Sequence, residues 1–218
     1  NTPEEIALNI FTRINTLGEP LSPQEIRHAI YNGKSTKLLK ELSESEEFVS
    51  TVNPTPAMKK RMNDRELILR LLAFKISSYT EYKSSNNLAI FLANAMKRMN
   101  SMSDEEINTL ENFFKDSMKK ASLVFGKFAF RKIYQEESDY RRPVNKSLLE
   151  TFGYFLPEFS DETLESAKEK IINSLRENMT NNYQFENSIS RATNNIESVH
   201  YRFDTVKKIL DSSIGELA

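Results

Sequence analysis

Helix-start signals recur along this sequence and constrain its fold more than any other feature. In a capping box, a Ser or Thr before the first turn and a Glu three residues later bond each other's backbone N–H groups. Three segments fit this pattern: Thr2-Pro3-Glu4-Glu5, Ser22-Pro23-Gln24-Glu25 and Ser103-Asp104-Glu105-Glu106. The chain has only 5 Gly and 7 Pro, whereas a sheet protein needs many turns. The sequence therefore predicts an all-α fold, a multi-helix bundle of about nine or ten helices.

The most apolar predicted helix runs from Leu67 to about Ile76. Its apolar residues nearly encircle the helix axis, which predicts a central, buried position with Leu71 and Phe74 in the core. The segment 53–57, with two prolines, is the candidate seam, but its shortness favours a single helical domain over residues 1–218. Apolar periodicity and capping residues predict the other helices at 2–17, 22–32, 35–42, 48–52, 86–99, 103–125, 145–155, 160–175 and 196–214.

Composition excludes several classes of protein. Lys and Arg total 30 and Asp and Glu total 31, so no global field draws the chain to nucleic acid or an anionic membrane. No apolar run approaches the roughly 20 residues that a membrane span needs. Cysteine is absent, which excludes disulfides and thiolate sites and fits a cytoplasmic location. The start of the chain has no initiator Met and no signal-peptide pattern, so we expect a fragment or a processed chain.

The usual catalytic motifs are missing. The sequence has no Gly-rich phosphate loop and no nucleophile elbow, and neither His28 nor His200 has a second histidine at metal-ligand spacing. We therefore predict no catalytic residue, no metal site and no cofactor within this chain. Many carboxylates fall in the first turns of predicted helices, where they complement the helix dipole: Glu4, Glu5, Glu25, Asp104, Glu105, Glu106, Asp161 and Glu162.

Basic residues cluster at 59–61, at 131–132 and at 141–142. Such clusters indicate either solvated loops and helix ends or a phosphate-binding edge, and alone they favour the first interpretation. Arg13 and Asn15 flank an apolar residue at the end of the first predicted helix. Their donors and acceptors suit a phosphate or a neighbouring backbone. From the residues alone, pairing of Arg13 with an acidic side chain and capping by Asn15 is the favoured interpretation.

Four segments, in order, carry a resemblance to a known bacterial family. The segment Phe11-Thr12-Arg13-Ile14-Asn15-Thr16-Leu17-Gly18, followed by Leu21-Ser22-Pro23-Gln24-Glu25-Ile26-Arg27, resembles the first block of the ParB/sulfiredoxin-like N-terminal domain of GmrSD-type restriction endonucleases. Leu17 stands where that family commonly has Gly. Arg61–Arg70 resembles the second block, Phe128–Arg131 with Arg141–Glu150 the third, and Tyr201–Phe203 the closing helix. The similarity therefore spans nearly the whole chain.

Two signatures of that family do not occur in this sequence. Asp-Gly-Gln-Gln-Arg belongs to the ParB-like part that precedes the helical region, and His-x-x-Pro belongs to the partner nuclease domain. The resemblance therefore implies the helical second half of the module, with the ParB-like domain missing from this chain. It implies a helical scaffold and regulatory module of a bacterial anti-phage restriction protein. The resemblance also implies that nucleotide hydrolysis, with a nucleoside triphosphate and a divalent metal as cofactors, would belong to the parent protein and not to this chain.

The resemblance also suggests site residues and partners. Arg13 and Asn15 are expected to face the missing ParB-like domain and to help complete its nucleotide site. The second choice is a phosphate-facing or interdomain surface formed by Arg131, Arg141, Arg142 and Lys146. DNA is a further candidate partner. The alternative is a non-enzymatic helical domain that binds DNA or a partner protein, and an Asp-Gly-Gln-Gln-Arg segment encoded upstream would decide between the two.

Overall fold

The computed structural model describes residues 20–83, 88–134, 140–191 and 193–215. The predicted all-α bundle is confirmed, with eleven α-helices in these ranges. They are α1 Pro23–Ile30, α2 Lys34–Glu44, α3 Glu46–Val52, α4 Pro56–Lys60, α5 Asn63–Ser77, α6 Leu88–Ser101, α7 Asp104–Phe125, α8 Lys146–Phe155, α9 Asp161–Asn181, α10 Tyr183–Ser190 and α11 Ile196–Gly215. Short 3₁₀ turns follow three of them, at Tyr79–Glu81, Gly126–Phe128 and Leu156–Glu158.

The predicted capping boxes begin two of these helices. At the start of α7, the backbone N–H of Ser103 donates to Glu106 Oε2 at 2.8 Å, and the Glu106 N–H donates to Ser103 Oγ at 3.2 Å. The same reciprocal pair joins Ser22 and Glu25 at α1. Gly126 ends α7 with a φ of +51°, a left-handed conformation that glycine adopts without strain. The third predicted box, at residues 2–5, lies outside the described residues.

Two of the eleven helices, α4 and α10, were not predicted from the sequence. Pro56, taken from the sequence as an interruption, stands at the first position of α4, where its fixed φ suits a helix, and Thr55 caps that helix. The second helix, α10, begins at an Asn182 cap whose Oδ1 accepts the N–H of Phe185 at 3.0 Å. The candidate seam at 53–57 forms the short connection from α3 into α4. The single helical domain over residues 1–218, with a possible seam at this connection, remains a prediction.

The central position of α5 is confirmed. This helix packs against α2, α6 and α8, and Leu71 and Phe74 are fully buried. The Phe74 ring lies 4.9 Å from the rings of both Phe91 and Phe203, measured between centroids. A Cβ on Gly153 of α8 would stand only 2.7 Å from Leu71 Cδ2. The missing side chain at Gly153 therefore lets α8 pack closely on α5.

The remaining long helices cover the other faces of the core. Helix α7 packs against α3 and α9, and α9 packs in turn against α10 and α11. Between α7 and α8 the chain is irregular, and Arg131 pairs with Val144 in an isolated antiparallel bridge. This bridge places the loop after α7 beside the loop that leads into α8.

Candidate functional site

Buried ionic side chains from four helices meet beside α5. The Glu66 carboxylate on α5 is the first centre of this network. It accepts bonds from Arg27 Nη2 of α1 at 2.8 Å, from Arg70 Nε at 3.1 Å and from Lys146 Nζ of α8 at 2.9 Å. Arg27 is also held in position by Gln24, whose Oε1 accepts its Nε at 2.9 Å. Glu66 thereby joins α1, α5 and α8 through charge-assisted hydrogen bonds.

Glu150 on α8 is the second centre, and it is fully buried. Its Oε1 accepts Arg70 Nη1 at 2.9 Å, and its Oε2 accepts Arg202 Nη2 of α11 at 2.6 Å. Arg202 is only 1% exposed, and its Nη1 also donates to the Thr193 carbonyl at 2.5 Å. Arg70 therefore bridges both carboxylates, and the network extends from α1 to α11.

Glu66 and Glu150 were not predicted as site residues, because carboxylates in this sequence are explained by the helix starts at which many of them fall. A usable signal was nevertheless present. Glu66 and Arg70 stand four residues apart on a helix that is otherwise apolar nearly all round, and Lys146 and Glu150 have the same spacing on α8. Charged residues on a helix without a polar face must be buried, and buried charges are found paired. That pattern predicts an internal network, although it does not identify the partners.

The network draws one or more residues from each of the four sequence segments defined above. Arg27 closes the first segment, and Arg202 lies in the last. Glu66 and Arg70 come from the second, and Lys146 and Glu150 from the third. Segments as much as 175 residues apart in the sequence, such as those of Arg27 and Arg202, are thus joined through an unbroken series of ion pairs.

The network lowers the pKa of its first centre, the Glu66 carboxyl group. Burial alone would raise the pKa of Glu66, but the positive charges of Arg70, Lys146 and Arg27 outweigh burial and lower this pKa to about 2. Because the folded-state pKa lies below the usual value of 4.5, the ionised form of Glu66 stabilises the fold above about pH 4.5. This contribution is lost as the pH falls toward 2.

We expect the free energy of unfolding of Glu66→Gln to depend less on pH below about pH 4.5 than that of the wild type. At pH 6 the variant should be less stable than the wild type by roughly 3 kcal/mol, and the difference should shrink toward pH 2.5. Urea unfolding between pH 6 and pH 2.5 measures this difference. Glu111→Gln, in a partly exposed pair with Lys115 on α7, is the matched control. A wild-type advantage over Glu66→Gln that stays constant with pH would contradict the assigned pKa.

A second feature adjoins this network, a cavity of about 540 Å³ between the α3–α4 connection, α5 and the loop before α8. All four cations of the predicted phosphate-facing surface line it: Arg131, Arg141, Arg142 and Lys146. The structure thus brings together residues from two separate basic clusters and from the first turn of α8. Lys146 belongs to both features because its Nζ binds Glu66.

Arg131 differs from the surface position that the sequence predicted, because it is only 5% exposed. The bridge to Val144 holds its backbone, and Phe130 before it has a φ of +58°, which is rare for a bulky residue. The guanidinium donates to the carbonyls of Ala129 and Val52, both at 2.9 Å. Burial, and then the charge of Arg141, lower the pKa of Arg131 to about 10, so it remains charged at pH 7.

The other three cations of the lining are more exposed than Arg131. Arg141 Nε donates to the Lys127 carbonyl at 3.1 Å. The Arg142 guanidinium carbon lies 5.1 Å from the centroid of the Tyr134 ring and 6.0 Å from that of Tyr140, within the range of cation–π attraction. Tyr140 is itself 64% exposed. The lining of the cavity therefore combines the buried guanidinium of Arg131 with three more accessible cations and the exposed ring of Tyr140.

The first-choice site residues, Arg13 and Asn15, lie outside the described residues. The chain that follows them is fixed to the start of α5: Ser22 Oγ donates to the Arg61 carbonyl at 2.8 Å, and Arg61 pairs with Glu25 at 3.4 Å. In the ranges that the structure describes, no three His, Cys, Asp or Glu side chains converge as a metal site would require. The helices of those ranges also include none with the length and apolarity to cross a membrane.

Comparisons of this chain with known protein families, with curated proteins and with solved structures gave no match.

Proposed function

We propose that this chain is the helical scaffold and regulatory module of a bacterial anti-phage restriction protein of the GmrSD type. In this proposal an adjoining ParB-like domain carries the nucleotide chemistry, and the parent protein acts on DNA. The observation that supports it is the convergence of the four family-like segments on one ionic network. Residues of these segments that are far apart in the sequence share one physical role, because they hold α1, α5, α8 and α11 to one another.

A scaffold of this kind needs a rigid attachment point. Arg27 and Glu66 tie α1 to the centre of the bundle, and the bonds of Ser22 and Glu25 to Arg61 fix the residues just before and within α1. The segment with Arg13 and Asn15 precedes this anchored helix directly in the sequence. Anchoring at α1 therefore supports the proposal that Arg13 and Asn15 meet the ParB-like domain at a defined position.

The first test is whether the gene encodes Asp-Gly-Gln-Gln-Arg upstream of this segment, which the proposal requires. In the protein that includes that part, Arg13→Lys should weaken nucleoside triphosphate binding about tenfold and leave the melting temperature unchanged. Lysine keeps the charge but lacks the bidentate fork that recognises phosphate. Titration calorimetry with GTP and with ATP measures the affinity.

Arg98→Lys on α6 is the matched control, because Arg98 makes an exposed bond to Ser77. It should leave the affinity unchanged. The 218-residue chain by itself should turn over neither nucleotide. If Arg13→Lys keeps full affinity and lowers the melting temperature, Arg13 has a structural role and the site assignment is wrong. Absence of the upstream segment would favour the alternative of a non-enzymatic interaction domain.

A further inference from the structure

We propose that the cavity lined by Arg131, Arg141, Arg142 and Lys146 binds a phosphate group. The inference goes beyond the proposed scaffold function and does not depend on it. It rests on the lining of the cavity, on the burial of Arg131 and on the positions of the other three cations.

The lining is rich in hydrogen-bond donors. Beside the four cations, Asn53, Thr55 and Asn63 contribute amide and hydroxyl groups, and the part of the chain that the structure describes places no Asp or Glu in the lining. The whole chain has slightly more acidic than basic residues, so the excess of positive charge in this lining is a local feature of the cavity. A cavity walled by positive charge concentrates anions.

Among the residues that the structure describes, Arg131 differs from the other buried arginines because no carboxylate is bound to it. Arg27 and Arg202 are at least as buried as Arg131, and each binds a carboxylate of the network at 2.6–2.8 Å. Arg131 has no carboxylate partner in the described ranges, and its buried Nε has no hydrogen-bond partner there. A buried charge that is not compensated costs free energy, and an anion in the adjoining cavity would offset that cost.

The remaining cations supply donors at the opening. Arg141 uses Nε to hold the Lys127 carbonyl, which leaves the terminal nitrogens of its guanidinium to face other acceptors. Lys146 Nζ has three donors and uses one of them on Glu66. Arg141 and Lys146 are each partly exposed, so they can reach an incoming anion without a change in the fold.

The number of cations favours phosphate over carboxylate. A carboxylate offers one negative charge and two acceptor oxygens, whereas a phosphate monoester offers close to two charges and three such oxygens. A fixed buried guanidinium with further cations in front of it matches the larger charge. The cavity volume, within the 300–1,000 Å³ that is usual for small-molecule sites, leaves room for the rest of a phosphorylated small molecule.

Inorganic phosphate and pyrophosphate are suitable probes for the 218-residue chain. At constant ionic strength both should raise the melting temperature in a saturable way, pyrophosphate more than phosphate, whereas acetate should not. Arg141→Gln should weaken pyrophosphate binding at least about tenfold, measured by titration calorimetry, because it removes one charge-assisted contact. This variant is chosen because Arg141 is partly exposed and its loss spares the core.

Arg98→Gln, a cation that does not line the cavity, should keep the wild-type affinity. Equal losses in Arg98→Gln and Arg141→Gln, or equal stabilisation by acetate, would overturn the proposal in favour of general ionic attraction. Glu136, Glu137 and Asp139 lie outside the described residues, and the same experiment tests whether their carboxylates compete with an added anion. If pyrophosphate binds only after their combined replacement by Gln, Gln and Asn, the chain's own carboxylates occupy the site and the proposal fails.

Discussion

Glu150→Gln is expected to lower the free energy of unfolding by about 3–5 kcal/mol, which corresponds to a fall of roughly 6–20 °C in melting temperature for a chain of this size. The substitution keeps the size of the side chain and removes only its charge. Arg70 would keep Glu66 as a partner, but Arg202 would lose its carboxylate while it stays 1% exposed. The cost is therefore that of a buried guanidinium without a counter-ion.

Two further variants separate this cause from others. Glu111→Gln removes a carboxylate from the partly exposed i,i+4 pair with Lys115 and should cost no more than about 0.5 kcal/mol. Adding Arg202→Met to Glu150→Gln should restore part of the lost stability, since the uncompensated charge is then gone. A Glu150→Gln protein that unfolds within a degree of the wild type would mean that the network contributes little to the fold.

Phe74→Ala is expected to lower the free energy of unfolding by about 3–5 kcal/mol, the usual cost of emptying a fully buried aromatic site. Phe74 lies at the centre of the bundle, and its ring contacts Tyr82 of the following loop, Phe91 of α6 and Phe203 of α11. These partners belong to separate elements held by their own contacts. The core therefore cannot collapse fully into the space that the ring leaves.

Urea unfolding followed by circular dichroism measures this loss, with the dependence on urea expected to stay unchanged. Ile90→Ala on α6 is the matched control, because Ile90 is 48% exposed and its truncation should cost at most about 0.5 kcal/mol. Similar stability losses in the two variants would mean that α5 is not the core helix.

The sequence predicted those features of the fold that depend on neighbours within one or two turns. Ser22, Ser103 and Asn145 cap their helices as predicted, and Gly126 ends α7, because capping bonds and left-handed turns involve residues only a few positions apart. Helix α5 could likewise be recognised as central from its own apolar residues. The short helix α4 was missed because Pro56 is compatible both with an interruption and with a helix start.

The sequence by itself also identified the four cations of the cavity, but their environments were decided only by tertiary structure. Whether a charge is solvated, paired or buried depends on side chains that are distant in the sequence: Lys146 meets Glu66 across 80 positions, and Arg131 reaches the Val52 carbonyl across 79. The bridge from Arg131 to Val144 then turns two ordinary basic clusters into one cavity wall. Local patterns determined the helices, and the packing of those helices determined where the charges lie, because the electrostatic cost of a position is set by everything that surrounds it.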